Sequence, residues 1–119
     1  MTNYGKLAVQ DEGFVFHAPK RGWFWQKPPP PFVATFAAIE EIVALKLDLI
    51  TTDEVVFDIW LDDGRSVRLW ESVEGFVELD TALAQRLPHY FRDWRRVVIF
   101  PAFQENRTVI YRRAEGAVS

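Results

Sequence analysis

Apolar and polar residues alternate most clearly in the centre of the chain. From 55 to 61, every second residue is a large apolar one: Val55, Phe57, Ile59 and Leu61. A period of two is typical of a strand with one buried face, and the sequence Asp62-Asp63-Gly64 that follows is typical of a turn. The pattern predicts a hairpin whose second strand runs to Glu71.

The length of the turn decides which side chains of this hairpin face each other. A two-residue loop would set Ile59 opposite Arg68, an apolar residue against a charged one. A three-residue loop with Gly64 in the left-handed conformation restores like against like. We therefore predict the three-residue loop. Its pairs are Phe57 with Leu69, Ile59 with Val67, and Asp58 with Arg68.

Several other segments show the same period of two. Lys6 to Val9 and Gly13 to His17 flank a turn-like sequence and predict an N-terminal hairpin. Ile42 to Ile50 predicts another strand, and Thr108 to Arg113 predicts the last one. Val33 to Glu41 stays open between a strand with a tight turn, which the pattern favours, and a short helix beginning at Thr35.

The period changes after the central hairpin. Apolar residues at spacings of three and four, with Ser72 as the cap and Pro88 as the stop, predict an amphipathic helix carrying Phe76, Leu79, Leu83 and Leu87 on one face. Asp93 would cap a second, shorter helix with Trp94, Val97 and Val98 as its apolar face. The β-branched residues of Arg95 to Phe100 fit a strand as well.

Composition places the chain among ordinary globular domains. It has 119 residues, of which 49% are hydrophobic and 26% charged, which suits a single domain spanning 1–119. The net charge of −3, with acidic and basic residues well mixed, predicts no binding to nucleic acid or to an anionic membrane. The absence of cysteine, of a signal-like N-terminus and of a membrane-spanning run leads us to expect a cytoplasmic protein.

The residues that usually carry chemistry show no catalytic or metal-binding pattern. His17 and His89 are far apart, and neither has a second ligand at metal spacing. Adjacent carboxylates such as Asp62-Asp63 point to opposite faces when they lie on a strand. We predict no catalytic residue, no metal and no cofactor, and we interpret the chain as not an enzyme. The pairs Arg95-Arg96 and Arg112-Arg113 would form an anion patch only if the second helix lay beside the last strand, and surface ion pairs are the stronger expectation.

The most unusual segment runs from Lys20 to Lys27, where Trp23, Phe24 and Trp25 stand in a row among cations and before four prolines. Three consecutive rings cannot all face one core from a strand. Trp and Arg are enriched in binding hot spots. We therefore predict a partner-binding surface formed by Arg21 and the three rings, with packing of the rings on the chain's own prolines as the alternative.

The stretch from Ile39 to Arg113 resembles a group of small bacterial proteins with a pleckstrin-homology-like (PH-like) domain. The resemblance rests on structural punctuation, namely Ile39-Glu40-Glu41-Ile42, Thr51-Thr52-Asp53, the Gly64 hairpin, Gly75-Phe76, Leu87-Pro88 and Tyr111-Arg112-Arg113. It implies an α+β fold with an antiparallel, strongly bent sheet or partly open barrel packed by a C-terminal helix. It implies no catalytic residues.

These observations predict a non-enzymatic binding module whose partner is another protein. One alternative is a bacterial toxin-neutralising immunity protein, which a contiguous acidic face of Asp53, Glu54, Asp58, Asp62 and Asp63 would favour. Another is a small enzyme or ligand-binding protein in which a histidine meets a carboxylate in a pocket. A third is a homo-oligomer joined through the aromatic segment or a free sheet edge.

Overall fold

A computed structural model of the chain describes residues 4–19, 29–49, 52–99 and 106–113. The first three strands form an antiparallel sheet in the order β1-β2-β3: β1 is Lys6–Val9, β2 is Gly13–His17 and β3 is Phe32–Thr35. The turn between β1 and β2 is closed by the Gln10 N–H, which donates to the Gly13 carbonyl at 2.8 Å. The predicted N-terminal hairpin is confirmed.

The segment that the sequence left open combines a strand with a single helical turn. The Thr35 hydroxyl accepts a hydrogen bond from the Ala38 N–H at 3.3 Å and caps a 3₁₀ turn over Phe36–Ala38. Strand β4, Ile39–Asp48, starts immediately afterwards. The favoured prediction of a strand and a tight turn is confirmed, and β4 begins three residues before the predicted Ile42 because the turn is so short.

The remaining strands form a second antiparallel sheet in the order β6-β5-β4-β7. Strand β5 is Asp53–Leu61, β6 is Ser66–Trp70 and β7 is Asn106–Arg112. Gly64 has a φ of 90° in the loop between β5 and β6, a backbone conformation that glycine adopts at little cost. The predicted three-residue loop is confirmed, and so are its pairs: Phe57 with Leu69, Ile59 with Val67, and Asp58 with Arg68.

Among the described residues, two helices lie between β6 and β7. Helix α1 is Phe76–Arg86, and it ends before Pro88 as predicted. The prediction that Ser72 caps it is wrong: Gly75 occupies the N-cap position, and the Ser72 hydroxyl instead donates to Glu54 at 2.6 Å. The segment before α1 cannot be helical because it is held against β1, where the Leu7 N–H donates to the Glu74 carbonyl at 2.8 Å.

Helix α2, Trp94–Val98, resolves the second ambiguity in favour of a helix that follows Asp93. Trp94 and Val98 are buried, four residues apart on one face. The prediction that Val97 belongs to the apolar face is wrong, because its position one residue before Val98 turns its side chain away, and it is 44% exposed.

One cluster of buried side chains joins both sheets to the helices. Phe57 of β5 lies at its centre, with its ring centroid 4.6 Å from that of Phe76 in α1 and 4.9 Å from that of Trp94 in α2. The fold is therefore α+β, as predicted. The antiparallel strands form two sheets, of three and four strands, that do not close into a barrel, and the chain continues past the helices into strand β7.

Polar groups inside the core fix α2 in place. The Asp80 carboxylate of α1 accepts hydrogen bonds from the Tyr90 hydroxyl at 2.6 Å and from the Trp94 indole N–H at 3.0 Å. Burial, followed by the hydrogen bond to Asp80, raises the pKa of Tyr90 well above its ordinary value. Lys46 of β4 is also buried, and its ammonium donates to the Ile99 carbonyl beyond the end of α2 at 2.9 Å.

Candidate functional site

The face of the four-stranded sheet that points away from α1 and α2 is here called the outer face. Trp60 of β5 lies on it, because side chains alternate along a strand and Trp60 stands between the core residues Ile59 and Leu61. Its side chain is 47% exposed. An indole exposed to this degree in the middle of a sheet is the most conspicuous apolar group on this face.

The registers place Trp60 in a row that crosses the whole sheet. Ser66 of β6 pairs with Trp60, Trp60 pairs with Glu41 of β4, and Glu41 pairs with Arg112 of β7. The Arg112 Nε donates to the Glu41 carboxylate at 3.0 Å. The ring of Trp60 is therefore bordered on the β4 side by a fixed ion pair.

The next row places a second ion pair beside Trp60. Asp58 of β5 accepts two hydrogen bonds from the Arg68 guanidinium, at 2.7 and 2.9 Å. The hydrogen bond to Asp58 raises the pKa of Arg68 above its ordinary value, and the geometry of the pair is bidentate. The same row continues through the buried Val43 to Val109.

Two β-bulges create this arrangement. Between Ile39 and Glu41 the register of β4 against β5 shifts, so that Glu40 is the extra residue. Between Ile42 and Val43 the register of β4 against β7 shifts, and the extra residue is Ile110. Arg107 and Arg112 are five positions apart and would lie on opposite faces of a regular strand; the bulge brings both to the outer face.

Trp60 separates two depressions in this surface. The larger has a volume of about 440 Å³ and is lined by Glu40, Glu41, Trp60, Arg107 and Arg112. The smaller, of about 240 Å³, is lined by Asp58, Trp60, Ser66, Val67 and Arg68. The larger volume falls within the range of small-ligand sites.

The charges in the larger depression are not all paired. Glu41 and Arg112 bind each other. Among the described residues, no ion-pair partner approaches Glu40 or Arg107, which are both exposed. The depression therefore presents one unpaired carboxylate and one unpaired guanidinium beside an indole ring.

The predicted partner-binding residues Arg21, Trp23, Phe24 and Trp25 lie outside the described residues. The two basic pairs lie at opposite ends of β7. Arg95-Arg96 is part of α2, which contacts the start of β7 through a hydrogen bond of 2.9 Å from the Asn106 amide to the Val97 carbonyl. Arg112-Arg113 lies at the other end of that strand. The four arginines take part in separate ion pairs, namely Arg95 with Glu71, Arg96 with Asp93, Arg112 with Glu41 and Arg113 with Asp62.

The acidic residues considered in the sequence do not form an uninterrupted acidic face. Asp53 lies 3.8 Å from the ammonium of Lys46, and Glu54 accepts a hydrogen bond from Ser72. The carboxylates of Asp58, Asp62 and Asp63 each bind an arginine: Arg68, Arg113 and Arg65. These five residues therefore do not form the contiguous acidic face that would favour a toxin-neutralising protein.

Neither histidine lines a depression formed by the described residues. Both are exposed, and neither lines the two depressions on the outer face or a third, of about 270 Å³, formed by Glu12, Phe36, Ala37, Arg86, Leu87, Pro88 and Tyr111. Within the described ranges, no group of three or more histidine and acidic side chains could hold a metal ion.

One residue of the sequence marks the outer face. Trp60 occupies a polar position in the alternating pattern of β5, and a large ring at such a position indicates a surface that is not simply solvated. Glu40 carried no such signal, because its position depends on a bulge, and Arg107 lies just before the predicted strand Thr108 to Arg113.

Comparison with known proteins adds no relative. No family model, no curated protein and no solved structure matches the chain. In the part of the chain that the structure describes, the helices are too short and too polar to span a membrane.

Proposed function

We propose that this chain is a non-enzymatic, cytoplasmic module of PH-like architecture that binds another protein through the outer face of its four-stranded sheet. The observation that carries the proposal is Trp60, half exposed between two fixed ion pairs. In the described part of the chain, seven antiparallel strands with helix α1 packed against them support the architectural part of the proposal.

Trp60 has the surroundings that binding hot spots have. Tryptophan and arginine are the residues most enriched in hot spots, which lie inside a rim of polar groups that excludes water. The pairs Asp58–Arg68 and Glu41–Arg112 provide such a rim, and their side chains are already held by hydrogen bonds. A partner that covers Trp60 would therefore order few additional side chains, which lowers the entropic cost of association.

The aromatic segment remains part of the proposal as a second contact. Trp23, Phe24 and Trp25, with Arg21 beside them, are the residues that the sequence predicts for a partner surface. A single tryptophan with its rim is smaller than a stable interface, which buries about 800 Å² on each partner. A second contact region would supply the missing area.

The test is quantitative binding to an identified partner. Tagged protein captures candidates from the lysate of the source organism, and the partner named by mass spectrometry is purified and titrated by calorimetry. We expect Trp60→Ala to weaken that purified complex by about 30-fold, the effect of a hot spot worth about 2 kcal/mol. The matched control is Val77→Ala, since Val77 is 69% exposed on α1 and away from the outer face.

The aromatic segment is tested in parallel with a Trp23→Ala/Phe24→Ala/Trp25→Ala variant, first shown to be folded by circular dichroism. Loss of affinity in this variant adds the segment to the interface. Equal affinities of wild type and Trp60→Ala for the purified partner would refute the proposed surface. Light scattering showing a dimer of the free protein that dissociates in Trp60→Ala would mean that the partner is a second copy.

A further inference from the structure

The larger depression on the outer face has a charge pattern that specifies what fits it. Its walls offer the Arg107 guanidinium and the Glu40 carboxylate, both unpaired among the described residues, and its side is the exposed ring of Trp60. The other two charged residues, Glu41 and Arg112, bind each other at 3.0 Å. The local charge is therefore balanced, while two binding groups of opposite sign remain available.

This pattern is complementary to a group that carries both charges. A carboxylate from the ligand would bind Arg107, whose planar guanidinium donates two parallel hydrogen bonds to a carboxylate. An ammonium or guanidinium from the ligand would bind Glu40. A flat apolar group between them would pack on the Trp60 ring, where aromatic contacts contribute beyond their buried area. A ligand of either single charge would leave one wall group unsatisfied.

The bulges place one of the two free charges and the ion pair beside it. Glu40 is the extra residue of one bulge, and the other bulge, at Ile110, brings Arg112 to the outer face with Arg107. Arg112 in turn holds Glu41. Bulges of this kind re-aim side chains and are common beside functional sites.

We propose that the depression binds a segment of the protein partner in which an aromatic side chain stands between an acidic and a basic residue. This proposal rests on the proposed function, because it takes the partner to be a protein that covers Trp60. The volume of about 440 Å³ accommodates the side chains of such a short segment.

The test uses short blocked peptides and does not need the natural partner. The probes are Ac-Lys-Phe-Glu-NH₂, the singly charged Ac-Gln-Phe-Glu-NH₂ and Ac-Lys-Phe-Gln-NH₂, and free phenylalanine. Binding is followed by the NMR shift of the Trp60 indole N–H, assigned with Trp60→Phe, at peptide concentrations up to about 10 mM. We expect saturable binding of the doubly charged peptide and weaker binding of each singly charged one.

Two variants assign each charge. Arg107→Gln should weaken Ac-Gln-Phe-Glu-NH₂ by about threefold, the effect of one exposed ion pair, and leave Ac-Lys-Phe-Gln-NH₂ unchanged. Glu40→Gln should do the reverse. Arg86→Gln, which removes an exposed arginine from α1, is the matched control and should change neither.

Three results would overturn the inference. The first is no saturable shift of the Trp60 signal with any peptide. The second is binding that Arg107→Gln and Arg86→Gln weaken equally, which would reflect net charge alone. The third is tighter binding of free phenylalanine than of the doubly charged peptide, which would identify a small zwitterion as the ligand. The calorimetric titration with the purified partner is independent of these outcomes, so a failed peptide experiment leaves the proposed function standing.

Discussion

The strongest prediction about the architecture concerns Asp80, because one carboxylate oxygen serves two buried donors. The Tyr90 hydroxyl and the Trp94 indole N–H both donate to it, and these residues are 7% and 1% exposed. In Asp80→Ala both donors lose their acceptor. A buried donor without a partner costs about 1–3 kcal/mol, so we expect the free energy of unfolding to fall by about 3 kcal/mol.

The assay is urea unfolding followed by circular dichroism, with Tyr90→Phe and the double variant measured alongside. Tyr90→Phe alone should cost about 1 kcal/mol, because it removes one hydrogen bond and leaves the carboxylate bound to Trp94. In the Asp80→Ala background the same substitution should be neutral or stabilising, because it removes a hydroxyl that has no acceptor. Tyr90→Phe is thus expected to destabilise the wild type and to be neutral or stabilising in Asp80→Ala.

Additivity would refute this reasoning. If the double variant lost the sum of the two single losses within about 0.4 kcal/mol, Asp80 and Tyr90 would not be energetically coupled. A loss of less than about 1 kcal/mol in Asp80→Ala would likewise show that water replaces the carboxylate at both donors. The matched control is Asp93→Ala, since Asp93 is exposed and its ion pair with Arg96 spans 3.8 Å.

The remaining predictions concern pH, a buried cation and two glycines. The pKa of Tyr90 is raised in the folded state, so its contribution to the free energy of unfolding is fully present below the ordinary tyrosine pKa of about 10. Above that pH the free energy of unfolding should fall by up to about 1.4 kcal/mol per pH unit. Urea unfolding at increasing pH should show a shallower fall in Tyr90→Phe. Lys46→Ala should cost about 3 kcal/mol in the same assay, because Lys46 is 1% exposed and holds a carbonyl and a carboxylate. Lys46→Met keeps most of the side-chain volume, so full stability in that variant would show that packing alone is responsible. Gly64→Ala should cost about 1 kcal/mol through its positive φ only. Gly75→Ala should lower the thermal midpoint more, because its Cβ would stand 2.6 Å from the Leu7 carbonyl oxygen; equal midpoints would contradict this.

The pattern of apolar and polar residues correctly predicts an element when contacts within that element determine its structure. The register of the β5–β6 hairpin follows from a period of two and from the loop that matches like residues, and Asp58 meets Arg68 as predicted. The start of α1 does not follow in this way. Ser72 has the chemistry of a cap, but the chain before Gly75 is bound to β1, a contact between distant parts of the sequence.

The division into two sheets was beyond the sequence for a related reason. Strands β3 and β4 are separated only by the 3₁₀ turn over Phe36–Ala38, and a pattern of period two cannot show whether such a turn bends one sheet or ends it. The hydrogen bonds decide. β3 pairs with β2, whereas β4 pairs with β5 and β7.

The candidate site could not be predicted for a similar reason, because a period of two does not show where a strand contains a bulge. Counting along β7 places Arg107 and Arg112 on opposite faces, and only the extra residue Ile110 reverses that parity. A bulge adds one unpaired residue to one strand, and a single sequence contains no pattern that identifies it. Here two bulges fall on the two sides of β4, one against β5 and one against β7. Since Ile110 is itself buried, the second bulge is anchored in the core, and Arg112 beyond it faces outward, where it donates to Glu41. The outward positions of Glu40, Glu41 and Arg112 are therefore set by the pairing of the strands, which is the arrangement that a preformed binding surface requires.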